Sequence, residues 1–171
     1  MTVNFLMQNL INALQWGSFY ALIALGYSMV YSILMLFNFA HGDVFMVGAY
    51  IGFGVATALL FVFSGVLPGW ATLVLTILIS MLLTACVGML IERIGYRPLR
   101  NAPRIVPLIS ALGTSFFLQN AVLLVASARY RTYQSGLLIP RAWTVSLLGA
   151  TISFTRLLVM GVAVLLMLGL H

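Results

Sequence analysis

The chain has 171 residues, of which 63% are hydrophobic and only 6% are charged, whereas about a quarter of a soluble domain is charged. Because such a chain cannot cover its surface with polar groups, lipid is its expected solvent. The net charge of +6 comes from eight arginines and two acidic residues. The chain contains no lysine, which excludes a P-loop lysine and a Schiff-base lysine. The arginines lie between apolar stretches and not on one polar face, so no nucleic-acid partner is predicted.

Five apolar stretches approach the roughly 20 residues that a membrane-spanning helix needs. They predict an all-α, polytopic transmembrane helix bundle with about five spans, at residues 13–37, 44–63, 71–91, 105–128 and 153–170. The first residues, MTVNFLMQNLINALQW, lack the basic region and cleavage site of a secretory signal peptide. A polar row recurs there at helical spacing: Asn4, Gln8, Asn12 and Gln15. This stretch is either a short interfacial helix or, as we favour, an early start of the first span.

The stretch FNFAHGD, residues 37–43, separates the first two predicted spans. Asn38, His41 and Asp43 can accept hydrogen bonds from the free N–H groups at a helix start, and Gly42 suits an interruption. We therefore predict a capped break between two helices, while a gating or pathway role stays open beside it. One internal histidine and one aspartate cannot supply a triad or a metal site, so no enzyme, metal or organic cofactor is predicted.

Small residues recur every fourth position in the first two predicted spans, which lets helix backbones approach closely. One row is Gly48, Gly52 and Ala56, and the other is Ala13, Gly17 and Ala21. We interpret both rows as packing within one bundle, with a dimerisation face as the alternative. Cys86 stands alone in the third apolar stretch and is predicted to be a packed thiol.

The link after the third predicted span carries the tightest cluster of charge. It contains Glu92, Arg93, Arg97, Arg100 and Arg104. Arginine-rich links usually lie in the cytoplasm, so this link and FNFAHGD are predicted inside, although the four arginines beyond residue 128 would then lie outside. The dipole at a helix end disfavours Glu92, which is expected either to pair with a nearby arginine or to contact a soluble partner subunit.

The fourth predicted span carries polar side chains at helical spacings: Ser110, Thr114, Gln119 and Asn120. Gln119 and Asn120 lie near its middle, where an unpaired amide costs roughly several kcal/mol. We expect them either to bond to another helix or to line a pathway. The fifth span ends without a basic anchor, so we expect the front portion of a longer membrane protein.

Four stretches together carry a family resemblance. They are GSFYALIALGYSMVYSILMLFNFAHGD, MVGAY, IERIGYRPLRNAPR and LISALGTSFFLQN, all within residues 17–120. In these stretches the chain resembles the permease subunits of bacterial branched-chain amino-acid ABC importers, the LivH-type proteins. Related permeases for urea and short amides share much of the same pattern.

The resemblance implies a multi-pass permease of the bacterial inner (plasma) membrane that is not an enzyme. Its implied partners are a second homologous permease subunit, two cytoplasmic ATPase subunits and a periplasmic substrate-binding protein. Family permeases are nearly twice as long, so residues 1–171 are expected to be the N-terminal part of such a transmembrane domain. The expected function is the translocation of leucine, isoleucine or valine by alternating access.

Five polar residues are the candidates for the substrate pathway: Tyr27, Asn38, His41, Gln119 and Asn120. Three alternatives to the expected function remain. The first is a urea or short-amide permease of the same family. The second is a proton-linked carrier that uses Asp43, because an ionisable group in a membrane is a functional candidate. The third is a membrane scaffold without transport.

Overall fold

The computed structural model describes residues 3–35, 37–63, 66–103, 105–127, 131–133, 144–147 and 150–169. In these ranges the chain forms five α-helices: α1 (Val3–Leu34), α2 (His41–Val62), α3 (Gly69–Ile91), α4 (Ile105–Ala126) and α5 (Phe154–Gly169). A π-helical turn (Glu92–Tyr96) and a 3-10 turn (Arg97–Leu99) prolong α3. The predicted all-α fold with a break between the first two helices is confirmed.

A short β-hairpin, which the sequence analysis did not predict, precedes α5. Its strands are β1 (Thr144–Leu147) and β2 (Ala150–Ser153). They pair antiparallel, with Thr144 opposite Ser153 and Leu147 opposite Ala150.

Three helical stretches in the described ranges are long and apolar enough to cross a bilayer: His41–Val62, Gly69–Leu99 and Ile105–Ala126. Helix α5 is also apolar but has 16 residues, about 24 Å against a hydrocarbon core of about 30 Å. Helix α1 is one continuous helix of 32 residues. The polar row near the N-terminus therefore belongs to an early start of this helix and not to a separate interfacial helix.

The chain divides into two compact units, Met1–Met29 with Ser135–His171 and Val30–Gln134. In the first unit, Arg156 Nη1 of α5 donates a hydrogen bond of 2.7 Å to Asn12 Oδ1 of α1. The predicted row Ala13, Gly17 and Ala21 lines an open groove of about 370 Å³ between α1 and α5. One residue of the polar row of α1, Asn12, thus has a partner on α5.

In the second unit, α2 and α3 pack antiparallel through small residues. A Cβ added at Gly48 would lie 3.2 Å from the Thr84 side chain of α3, and one added at Gly52 would lie 3.8 Å from Ser80 Cβ. On α3, small hydroxyl residues recur every fourth position: Thr72, Thr76, Ser80 and Thr84. The Thr76 and Ser80 hydroxyls donate to carbonyl oxygens of their own helix. The contact is therefore close backbone packing, and the sequence analysis named only its α2 half.

The segment that follows α4 packs on the same part of α2. The Tyr133 hydroxyl donates to Ala49 O at 2.6 Å, its ring meets Phe53 edge-on at 5.7 Å, and the Arg131 guanidinium lies 5.7 Å from the Phe53 ring centre. A helical side chain covers the turn before its own Cα, so the missing side chain at Gly52 leaves the Ala49 carbonyl open to Tyr133. Burial raises the pKa of the Tyr133 phenol.

Two sequence predictions in this unit are corrected. Cys86 is exposed on α3, so the prediction of a packed thiol is wrong. The charged link also begins later than predicted, because Glu92, Arg93 and Arg97 lie in the helical turns that prolong α3, while Arg100 lies in the turn that follows. Arg104 lies outside the described residues, and the cytoplasmic placement of the link stays a prediction.

Candidate functional site: the polar break at the start of α2

The break between α1 and α2 is a change of backbone conformation. Met35 adopts a left-handed φ of 52°, and its N–H donates to Tyr31 O at 2.8 Å. A left-handed residue commonly ends a helix, usually as glycine, and here a methionine does so. Helix α2 begins at His41 and not at residue 44. His41, Gly42 and Asp43 therefore form the first turn of α2, and only the residues before them interrupt the helices.

Asn38 joins this break to the extension of α3. Its Oδ1 accepts the Ala40 N–H at 3.1 Å and the Tyr96 hydroxyl at 2.8 Å. Ala40 is the N-cap of α2, and its own side chain makes no capping hydrogen bond. Of the three predicted capping residues, Asn38 satisfies the N–H just before the helix, whereas Asp43 accepts its hydrogen bonds from α4; the capping role of the break stays a prediction.

Asp43 is held by α4. Ser115 Oγ donates to Asp43 Oδ2, and Gln119 Nε2 donates to Asp43 Oδ1 at 3.0 Å and lies 3.3 Å from Ser115 Oγ. Hydrogen bonds to a carboxylate are about twice as strong as bonds between neutral groups, and the first turn of α2 favours a negative charge. Since Asp43 is half-buried and Gln119 is exposed, the cluster has one accessible side.

These contacts show at which position along α4 the break lies. Ser115 and Gln119 lie ten and fourteen residues after Ile105, which is about 15 and 21 Å at 1.5 Å per residue. The 22 residues of α4 extend about 33 Å, close to the thickness of a bilayer core. The start of α2 therefore lies beside the middle of α4. Polar backbone at that depth is tolerated where it is buried in protein or lines a water-filled cavity.

The π-helical turn after α3 packs on the first half of α4. Ser110 Oγ donates to Gly95 O at 2.8 Å, and a Cβ at Gly95 would lie 3.4 Å from Thr114 Oγ1. Thr114 itself donates to Ser110 O within α4. The polar row predicted on the fourth span thus bonds to two elements, the π-helical turn and the start of α2.

The predicted pathway residues have different surroundings. Asn38 and Gln119 belong to the polar contacts of the break, whereas Asn120 Nδ2 donates to Phe116 O of its own helix at 2.7 Å. His41 is half-buried in the first turn of α2, and Tyr27 lies on α1 within the first unit. Among the described residues, no group of three His, Cys, Asp or Glu side chains could hold a metal ion.

Two residues of the break were missed by the sequence analysis. Ser115 lies four positions before Gln119, which places both on one face of a helix, so the spacing contained a signal for it. Tyr96 had no such signal, because its bond to Asn38 joins residues 58 positions apart.

Comparison with known proteins identifies the family. The family model for the permease component of branched-chain amino acid transport systems matches residues 9–171. The chain belongs to this permease family. The high-affinity branched-chain amino acid transport system permease protein BraD of Pseudomonas aeruginosa is 41% identical over 167 residues, which cover 96% of this chain and 53% of BraD. The LivH proteins of Escherichia coli K12 and Salmonella typhimurium are 42% identical over 125 residues, which cover 73% of this chain and 40% of LivH.

The chain spans about half the length of the curated relatives it matches. No solved structure matches it. The permease family is a family of transport proteins and not of enzymes, and together with three helices able to span a bilayer it indicates an integral membrane protein. The resemblance found in the sequence is confirmed, and the matched region includes both the break and the helical extension of α3.

Proposed function

We propose that this chain is part of the translocation subunit of an ABC importer that carries leucine, isoleucine or valine across the bacterial inner membrane. The observation that carries the proposal is the permease match over residues 9–171, with relatives named for high-affinity branched-chain amino acid transport. The break adds a physical reason, because a polar interruption beside the middle of α4 is where a transport route needs hydrophilic groups.

In the proposed mechanism, substrate passes the break by alternating access. Broken helix ends recognise charged groups of a substrate through backbone dipoles in other transporters, and the break before α2 would act in this way. His41 lies in the first turn of α2, Asn38 precedes this turn, and Gln119 bonds to Asp43 within it. Asn120 and Tyr27 are the remaining pathway candidates. Substrate binding within the route is expected to be weak, because tight binding slows release.

The energy source of the proposed importer is separate from this chain. The chain contains no lysine, so a P-loop must come from the two cytoplasmic ATPase subunits. A second homologous permease subunit and a periplasmic substrate-binding protein complete the proposed assembly. The exposed arginines Arg93, Arg97 and Arg100 offer a positively charged surface for the ATPase side, which agrees with a cytoplasmic position of this segment.

Uptake in the host bacterium tests the substrate. Deletion of the gene should abolish most high-affinity uptake of radiolabelled leucine, and expression of the unchanged gene should restore it. Unlabelled isoleucine and valine should compete, urea should not, and vanadate should inhibit. Competition by urea alone would favour the amide-permease alternative, and normal leucine uptake in the deletion strain would leave a scaffold as the better explanation.

A proton-linked carrier is the second candidate, because Asp43 is a carboxylate beside the middle of α4. Asp43→Asn separates the two functions, with Glu92→Gln as a control that removes the other acid of the chain. An ABC importer should keep most of its uptake in Asp43→Asn at equal expression. Complete loss of uptake, with normal expression and normal uptake in Glu92→Gln, would favour the carrier.

Cysteine accessibility tests which amides line the route. In a Cys86→Ser background, cysteine at position 119 or 120 should react with a water-soluble maleimide if that side chain faces the route. We expect labelling at position 119, because the side chain there adjoins the polar break. Protection at both positions would place these amides in helix contacts and remove them from the pathway.

A further inference from the structure

We propose that Tyr96 is a positioning residue that couples the basic helical extension after α3 to the break before α2. This inference rests on the proposed function only in treating the break as a moving part of the transport route. Nothing in the sequence analysis assigned Tyr96 a role.

The side-chain oxygen of Asn38 is an acceptor that two donors share. The Tyr96 hydroxyl and the Ala40 N–H both donate to Asn38 Oδ1, at 2.8 and 3.1 Å. A side-chain amide oxygen has two lone pairs, so these two donors occupy it fully and orient the amide. Tyr96 thereby holds the residue that satisfies the last N–H before α2.

The π-helical turn sets the direction in which the Tyr96 side chain points. The Arg97 N–H bonds to Glu92 O, five residues back, where an α-helix would bond four residues back. One additional residue in the turn rotates the side chains at its end, Tyr96 among them, by up to about 100° relative to a continued α-helix, since that helix has 3.6 residues per turn. Reversion of the turn to α-helical bonding would therefore move the Tyr96 hydroxyl away from Asn38.

A hydrogen bond anchors the π-helical turn on α4. Ser110 Oγ donates to Gly95 O, next to Tyr96, at 2.8 Å. The same segment carries exposed Arg93, near its start, and exposed Arg97, directly after Tyr96. A partner that binds these arginines and shifts the turn would therefore act on the break through the bond between Tyr96 and Asn38.

The experiment measures how accessible the break is to a water-soluble reagent, and it requires no substrate. In a Cys86→Ser background, Gly42→Cys supplies a reporter in the first turn of α2, at an exposed position where an added Cβ meets nothing within 4 Å. The rate of its reaction with a water-soluble maleimide is measured in native membranes. Tyr96→Phe removes only the hydroxyl, and Tyr20→Phe, at an exposed tyrosine of α1, is the matched control.

Loss of one hydrogen bond changes an equilibrium about five-fold. Tyr96→Phe is therefore expected to increase the labelling rate at position 42 about five-fold, and Tyr20→Phe is expected to leave it unchanged. In an Asn38→Ala background, Tyr96→Phe should have no further effect, whereas a purely structural role of the ring would not depend on Asn38. The carboxylate of an Asn38→Asp variant can accept both bonds, so this variant should show the same labelling rate at position 42 as the protein with Asn38.

Two results would overturn the proposal: an unchanged labelling rate in Tyr96→Phe, or the same increase with and without the Asn38 amide. The proposed transport function fails separately, if leucine uptake does not depend on the gene. If uptake does depend on it, Tyr96→Phe should lower the maximal rate and leave the KM for leucine unchanged, because Tyr96 positions the break and does not touch the substrate.

Discussion

Helix α2 makes two kinds of contact with its neighbours in the second unit. Along its middle, Gly48 and Gly52 let α3 approach closely, and the hydroxyls of α3 bond to their own helix. At its start, Asp43 receives hydrogen bonds from two side chains of α4. The first contact depends on the absence of side chains and the second on their presence. Close packing on α3 and polar recognition by α4 are therefore separated along one helix, about two turns apart.

The largest expected effect tests the packing contact. Gly48→Leu should lower the free energy of unfolding by about 2–3 kcal/mol, because its Cβ would lie 3.2 Å from Thr84. Gly54→Leu is the matched control on the same helix, since nothing lies within 4 Å of its Cβ, and it should change little. The midpoint of SDS-induced unfolding in mixed micelles measures both. Equal effects of the two substitutions would show that α3 does not need the glycine at position 48.

The next effect tests the polar contact. Gln119→Ala should lower the free energy of unfolding by about 1 kcal/mol, because it removes a donor to the Asp43 carboxylate. Asn120→Ala should cost a few tenths of a kcal/mol or less, since its amide bonds to its own helix. The same unfolding assay compares the two neighbouring amides. A larger loss in Asn120→Ala would reverse their assigned roles.

The smallest effect sharpens the difference between the two contacts. Thr76→Val, on the α3 face, should change the free energy of unfolding by less than about 0.5 kcal/mol, because its hydroxyl bonds to Thr72 O of the same helix. Ser115→Ala, on the α4 face, should cost about 1 kcal/mol, because its hydroxyl bonds to a carboxylate of another helix. Similar losses at both positions would mean that the α3 hydroxyls also join helices.

Sequence reasoning succeeded where the signal was local. The break around Asn38, the small-residue row at Gly48 and Gly52, and the family resemblance all follow from residues close together in the chain. It did not find the partners of Asp43, which accepts hydrogen bonds from Ser115 and Gln119 on a distant helix. The predicted end of the third span at residue 91 agrees with the end of α3, but the π-helical and 3-10 turns that prolong it to Leu99 were not predicted.

By itself, the sequence determined that this chain is a lipid-embedded bundle of helices interrupted at a polar stretch, because hydropathy and helix-breaking residues act over a few turns of chain. Only the tertiary structure decided that the start of α2 lies beside the middle of α4 and that Tyr96 holds Asn38. Those facts depend on which helices become neighbours and on how far one is displaced along another. That displacement is set by the sum of many small packing contacts, so no single stretch of residues encodes it.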